Sequence, residues 1–314
     1  MQTLKNITAA FLIKVSSWYL RNPFPTFSKS FLWERICVPH LCWRDIELRT
    51  RANFGAMFYV NPKQFVENRI CFFGVWEPQI TDLISSLLKP GDIVIDIGAN
   101  IGYFTLLASG LVGSKGKVYA VEASESTRQR LNRNLEINRC TNSVVVPYAA
   151  WSESGETNFF TNDADRGGSS LRELGGSKPM ERVALRRIDS IIPRQDYEHV
   201  RLIKVDIEGA ECQALEGLSS LLSANSNVLV VCEVEDRKLA GLGRSAADLF
   251  ALLASFGFRP FEIPNNYDVL EYLRRPKAVE LLPLSEAPTR DAYVLFSRQD
   301  LGDWCSTSLR VRGS

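Results

Sequence analysis

The sequence predicts an α/β protein built on a mostly parallel, Rossmann-like sheet with helices on both faces. Three observations carry this. From Asp92 onward, short apolar runs, turns and helical stretches alternate, the pattern of buried parallel strands joined by crossover helices. The apolar run ending at Ile97 leads directly into a glycine turn, Gly98-Ala-Asn-Ile-Gly102, and a helix start. A second acid, Glu122, closes the next apolar run 26 residues after Asp96.

The chain has 314 residues, enough for one αβ core with an extension. Apolar residues make up 45% and charged residues 23%, the balance of an ordinary globular protein. The net charge of +1 lacks the basic excess by which phosphate-binding proteins hold nucleic acid, so no nucleic-acid partner is expected. Seven scattered cysteines without a C-x-x-C pair, and only two histidines, argue for reduced thiols in a cytoplasmic setting and against a zinc site.

Residues 1–80 have a different texture and are read as an N-terminal extension or cap, with 81–314 as the core. The extension holds Trp18, Trp33, Trp43 and Trp76. These indoles are expected to pack in a core in preference to stacking on an acceptor. The apolar patch 9–20 is interrupted by Lys14 and is too short to span a bilayer. Packing on its own protein is the preferred reading, contact with a membrane surface the alternative, and stable membrane insertion is not expected. The alternation over 45–60 predicts a hairpin turning near Asn53-Phe54-Gly55, within a run of strand-like pieces. Residues 79–88 have helical spacing, closed by Pro90-Gly91.

In the core, strands are predicted at 93–97, 117–122, 143–149, 202–206 and 228–233, with helices at 103–111, 126–138, 210–222 and 246–256. Two further strands are expected at 259–263 and 292–297, with a long irregular insertion over 266–288. The segment 156–189 contains Arg166-Gly-Gly-Ser-Ser170 and Gly175-Gly-Ser177. It reads as a polar loop that either shapes the ligand end of the sheet or is simply solvated.

The glycine turn has a physical logic. Gly98 and Gly102 let the backbone turn tightly beside a ligand, and the N–H groups opening the next helix attract a carboxylate. Asp96 suits a cationic amino group. Glu122 at the adjacent strand end can accept hydrogen bonds from both hydroxyls of a ribose. A dinucleotide site would favour G-x-G-x-x-G, whereas here Gly98 and Gly102 are separated by three residues.

The run Lys89-Pro-Gly-Asp-Ile-Val-Ile-Asp-Ile-Gly-Ala-Asn-Ile-Gly-Tyr-Phe-Thr105, followed by Lys204-Val-Asp-Ile-Glu-Gly-Ala-Glu211 and preceded by Gly74-Val-Trp-Glu-Pro78, resembles the FkbM family of methyltransferases over about residues 70–235. The resemblance implies a class I methyltransferase fold with a seven-stranded sheet and S-adenosyl-L-methionine as donor. It further implies transfer to an oxygen of a sugar, glycan or secondary metabolite. It places Asp96, Gly98, Asn100 and Gly102 around the methionine part, Glu122 on the ribose and Ala150 near the adenine. It carries Glu77 as part of an acidic motif ahead of the core. Trp151 departs from the family pattern, where a smaller residue is usual.

Methyl transfer needs donor and acceptor held in line and a proton accepted from the attacking hydroxyl. With His40 and His199 the only histidines, the expected acids are Asp206, on the cofactor or acceptor side, and Glu208 as base. Helix capping by Glu208 and Glu211 is the competing reading. No metal is expected, although Asp206 and Glu233 end adjacent strands and could share a divalent ion. Arg237-Lys238 and Arg274-Arg275 read as solvated pairs. Two other functions stay open: an NAD(P)-dependent oxidoreductase on the same kind of sheet, and a non-catalytic scaffold that keeps the cofactor pocket. The acceptor is a small molecule or glycan, and the oligomeric state is open.

Overall fold

The computed structural model describes residues 2–160, 179–265, 267–274, 279–299, 301 and 309–311. The glycine-rich stretches 166–170 and 175–177 lie outside the described residues. So do Cys305 and Arg275.

The extension is mainly helical, where strand-like pieces were expected. α1 (Gln2–Arg21) and α2 (Thr26–Leu32) run into a π-helix, Trp33–Leu41, that contains Pro39. Then come the expected hairpin, β1 (Leu48–Arg51) and β2 (Met57–Val60), and the helices α3 (Phe65–Phe73) and α4 (Pro78–Leu87). Short aromatic runs such as Phe72-Phe73 are equally good strand or helix formers in isolation, and here tertiary packing decides for helix. Gly55 takes a φ of 100° in the hairpin turn, and the Asn53 N–H reaches the carbonyl of Gly74 at 2.7 Å. The boundary expected at residue 80 falls inside α4. One apolar cluster runs from Ile13, Trp33 and Phe58 through Leu83 and Phe104 to Val231 and Leu295, joining extension and core.

The core strands follow in order: β3 (Ile93–Ile97), β4 (Lys117–Val121), β5 (Ser143–Val146), β6 (Ala149–Ala150), β7 (Gly155–Phe160), β8 (Pro179–Arg186), β9 (Val200–Val205), β10 (Leu229–Val234), β11 (Arg259–Ile263), β12 (Val279–Pro283), β13 (Ala292–Ser297) and β14 (Leu309–Val311). Between them lie α5 (Tyr103–Val112), α6 (Glu125–Ile137), α7 (Glu211–Glu216), α8 (Ser219–Ala224), α9 (Asp236–Ala240), α10 (Ala246–Ser255) and α11 (Val269–Arg274).

The main sheet has the order β14-β12-β11-β13-β10-β9-β3-β4-β5. Its centre, β10-β9-β3-β4-β5, is parallel, and β13 runs antiparallel between β10 and β11. The sheet therefore has nine strands among the described residues instead of the expected seven. The two extra strands are β12, which with α11 lies in the segment expected to be irregular and adds to the otherwise open edge of β11, and β14, which follows the last expected strand and pairs with β12. Pairing an exposed edge satisfies its free N–H and C=O groups.

Two predicted elements are split. The strand expected over 143–149 breaks at Pro147, which has no N–H for the ladder. Its second half, β6, joins β8 in a separate sheet with β7. The flanks of the 156–189 segment are therefore paired strands, with Phe159 and Val183 buried. The helix expected over 210–222 breaks at Gly217. A Cβ there would stand 2.1 Å from the carbonyl oxygen of Trp151, so the close approach of that backbone excludes a side chain.

Candidate active site

The carboxyl ends of β3, β4, β9 and β10 open on a cavity of about 410 Å³, within the span of small-molecule sites. Among the predicted residues, Glu77, Gly98, Asn100, Glu122, Ala150, Asp206 and Glu208 line it. Asp96 and Gly102 are not part of its wall.

The glycine turn is dictated by crowding. Gly98 has φ 83°, and a Cβ there would sit 1.9 Å from the carbonyl oxygen of Asp206, because β9 runs parallel beside β3 and the chain leaving it passes against the turn. Gly102 has φ 91°, and its Cβ would press on Leu131 of α6 at 2.5 Å. Asn100 adopts φ 50° between them, a conformation that asparagine tolerates better than most residues. Asp96 is buried, and its Oδ2 accepts the Thr105 hydroxyl at 2.6 Å while Oδ1 has no partner. Burial raises its carboxyl, opposed chiefly by the Lys204 ammonium.

Glu122 follows β4 and closes the same turn from the side. Its Oε2 accepts the Asn100 N–H and its Oε1 the Ser124 N–H, each at 2.9 Å. Burial pushes this carboxyl up to about 7, with the two backbone donors pulling the other way. Each oxygen keeps a second lone pair for a ligand hydroxyl. Beyond it, Ala123, Tyr148, Ala149, Ala150 and Phe159 form an apolar wall suited to a flat ring. Trp151 is not in that wall; its N–H continues the β8 ladder to the Arg186 carbonyl at 2.9 Å.

At the other end, acids and cations gather. Glu77 is fully buried at φ 40°, a strained conformation for a non-glycine residue. Its Oε1 accepts the hydroxyls of Tyr267 (2.8 Å) and Tyr293 (2.7 Å), and its Oε2 has no partner. Burial first, then the nearby Asp206, pushes its carboxyl up to about 7. The Tyr293 hydroxyl also lies 3.1 Å from Asp206 Oδ2, so one proton serves two carboxylates. Burial would raise Asp206, yet the Lys204 ammonium, 2.9 Å away, holds it below its ordinary value. Burial alone would lower Lys204, but Asp206, Asp96 and Glu77 together raise it.

Glu208 takes φ 60° on the turn after β9. Its Oε2 lies 2.7 Å from Lys238 Nζ, which also meets Glu235 at 2.6 Å and Glu233 at 3.2 Å. Burial pushes Glu208 up to about 7 against the pull of Lys238. Glu211, the first residue of α7, braces the turn ahead of that helix: its Oε1 accepts the N–H groups of Ile207 and Gly209 at 3.1 Å each, while the N-cap position, Ala210, makes no side-chain cap. Carboxylate oxygens of Asp206, Glu208 and Glu233 lie within 4.8 Å of one another. The Lys238 ammonium supplies the positive charge beside two of them.

Sequence reasoning missed Lys204, Lys238, Tyr267 and Tyr293. The pair Arg237-Lys238 reads as solvated, and for Lys238 the structure corrects that: a short helix, α9, folds its side chain back over the strand ends. Lys204 left a signal, a lone lysine inside the apolar strand Leu202-Ile-Lys-Val205, where an unpaired ammonium would be costly to bury. The tyrosines left none. Of the tryptophans, Trp33 is core and Trp76 lines the cavity, stacked on Tyr267 at 5.4 Å, while Trp18 and Trp43 are exposed.

The family model for the methyltransferase FkbM domain matches residues 96–260. The chain belongs to the FkbM methyltransferase family. Its domain is that of an S-adenosylmethionine-dependent methyltransferase. Curated relatives include the hexuronic acid methyltransferase AglP of Haloferax volcanii, 25% identical over 49% of this chain and 61% of that protein. The AMB antimetabolite synthetase AmbE of Pseudomonas aeruginosa is 27% identical over 55% of this chain but only 10% of that protein. The chain thus spans less than two thirds of either relative. A solved precorrin-6y C5,15-methyltransferase from Geobacter metallireducens aligns over 70% of this chain and 87% of its own at TM-score 0.41 and 14% identity, too distant a likeness to bear on the site.

Proposed function

We propose that this protein is an O-methyltransferase that transfers a methyl group from S-adenosylmethionine to a hydroxyl of a sugar, glycan or secondary metabolite. The observation that carries the reading is the division of the cavity. One end offers a glycine turn, a hydroxyl-accepting Glu122 and an apolar wall at Ala150. The other holds Glu208 and Glu77, both with carboxyls pushed up to about 7, the range in which a carboxylate is an effective base near neutral pH. The Haloferax volcanii relative, a hexuronic acid methyltransferase, adds support for a carbohydrate acceptor.

The donor set fits the cofactor. The turn from Gly98 to Gly102 would hold the methionine part, with Asn100 at its surface and Asp96 behind it on Thr105. Glu122 would take the ribose hydroxyls, and Ala150 would lie against the adenine. When bound, S-adenosylmethionine supplies an electrophilic methyl and departs as a neutral thioether. Asp206, kept ionised by Lys204, would orient the acceptor or the cofactor's amino group. Glu208 would take the hydroxyl proton as the acceptor oxygen forms its bond to the methyl carbon and the carbon–sulfur bond breaks. Glu77 and its tyrosines would line the acceptor side.

Incubation with methyl-labelled S-adenosylmethionine and a panel of uronic acid glycosides, neutral sugars and phenolic metabolites tests this. Label in a base-stable ether, with the hydroxyl consumed, is the expected product. Label recovered only as a base-labile ester, or transfer unaffected by Glu208→Gln, would remove the assignment.

A further inference from the structure

The exposed apolar side chains are concentrated at one place. Among the described residues, eleven of the fourteen large exposed hydrophobics fall in residues 7–43. They include Phe11 at 64% exposure, Trp18 at 59%, Phe27 at 79% and Trp43 at 68%. Isolated exposed hydrophobics are ordinary, but contiguous patches are not.

α1 is apolar on two opposite faces. At about 100° per residue, Ile7, Phe11, Val15 and Trp18 fall within an arc of about 80°, all exposed. Ala9, Ile13, Ser16 and Leu20 occupy the opposite side and are buried in the protein. The outer stripe continues onto the next helix: Trp18 meets Phe24 edge-on at 5.6 Å, and Tyr19 stacks on Phe24 at 4.2 Å. From there Phe27 and Phe31, one helical turn apart on α2, extend it outward, while Lys29 between them is buried.

The charge of this region selects its occupant. Residues 1–44 contain six Lys or Arg and one Glu, a net charge of +5, whereas the whole chain carries +1. Beside Trp18 a cavity of about 260 Å³ is lined by Lys14, Arg21 and Arg49, so basic groups flank the apolar stripe. A second copy of the chain would set this positive region against itself. An anionic surface with an apolar interior matches both properties at once. No helix among the described residues is long and apolar enough to cross a membrane.

We propose that α1, α2 and the π-helix after them seat this protein on an anionic phospholipid surface, with Phe11, Trp18 and Phe27 buried at the level of the headgroups and acyl ends.

Flotation of the full chain with vesicles tests it, comparing phosphatidylcholine alone with a phosphatidylcholine and phosphatidylglycerol mixture. The expected result is recovery with the mixed vesicles, weakened by salt and much lower on phosphatidylcholine alone. The variant combining Phe11→Ser, Trp18→Ser and Phe27→Ser should lose on the order of tenfold or more in partitioning, with its thermal shift by S-adenosylhomocysteine unchanged. Charge reversal by Lys14→Glu and Arg35→Glu, at two exposed positions, should also release the protein while leaving fold and cofactor response intact. The proposal is overturned if the full chain ignores both vesicle types or binds neutral ones equally. It is likewise overturned if the triple serine variant binds as before, or if sedimentation shows a dimer that this variant dissolves.

Discussion

Single residues set the chemistry, and Gly98 is the most constrained of them. A methyl group there meets both a φ of 83° and the Asp206 carbonyl at 1.9 Å, so Gly98→Ala is expected to cost roughly 2–4 kcal/mol and to abolish S-adenosylhomocysteine binding by calorimetry. Glu77 allows a signed test. Its carboxyl, ordinarily at 4.5, is pushed up to about 7 by burial, so the folded chain holds this proton more tightly than the unfolded chain does. The stability it contributes is full below 4.5 and is lost as pH rises through about 7. Gln can accept the same tyrosine hydroxyls. The melting temperature of Glu77→Gln relative to the parent should therefore climb across that window; a difference independent of pH would show that Glu77 is not held protonated. Glu208 makes the matching kinetic prediction. A base at about 7 is active only when ionised, so the turnover rate should fall as pH drops through that value. Glu208→Gln should abolish this acid limb while sparing cofactor affinity.

Between elements, a few polar ties hold the extension to the core. Arg130 on α6 grips Glu67 on α3 with both terminal nitrogens, and Glu67 also accepts the Asn61 N–H that follows the hairpin. Glu67 is buried, so Arg130→Ala would leave a buried carboxylate without its cation. That is expected to cost roughly 3 kcal/mol, read as a lower denaturation midpoint with an unchanged slope. A pair from the same helix, Arg133 with Glu47, is half exposed on both sides, and Arg133→Ala should stay within about 1 kcal/mol of the parent. The contrast tests whether α6 is bound to the extension through the buried tie or through general surface charge.

At the scale of the molecule, the sheet centre and the extension share one apolar cluster, so cofactor binding at the strand ends should stabilise the whole chain cooperatively. With S-adenosylhomocysteine at a hundredfold excess over Kd, linkage gives about 2.7 kcal/mol and a rise of several degrees in Tm. NAD should give none, because the turn lacks the third glycine and the spacing of a pyrophosphate site. A larger shift with NAD than with S-adenosylhomocysteine would overturn the cofactor assignment.

The sequence by itself determined the parallel core, its turn and its two leading acids. Those features are local: an apolar run, a glycine pair and an acid at a strand end keep their meaning wherever the chain places them. The hairpin at 48–60 and the strands at 259–263 and 292–297 were legible for the same reason. Tertiary structure decided what depends on neighbours distant in the chain. Aromatic runs in the extension became helices because a core was there to receive them, and β12 formed because β11 had a free edge, which β14 in turn extends. Lys238, Tyr267 and Tyr293 reach Glu208, Glu77 and Asp206 from later segments. No spacing rule connects them, since the contacts arise only when the sheet brings its strand ends to one mouth. The outward apolar face of α1 belongs to the same class. Periodicity shows that a helix has two apolar sides, but only the packed protein shows which of them it leaves uncovered.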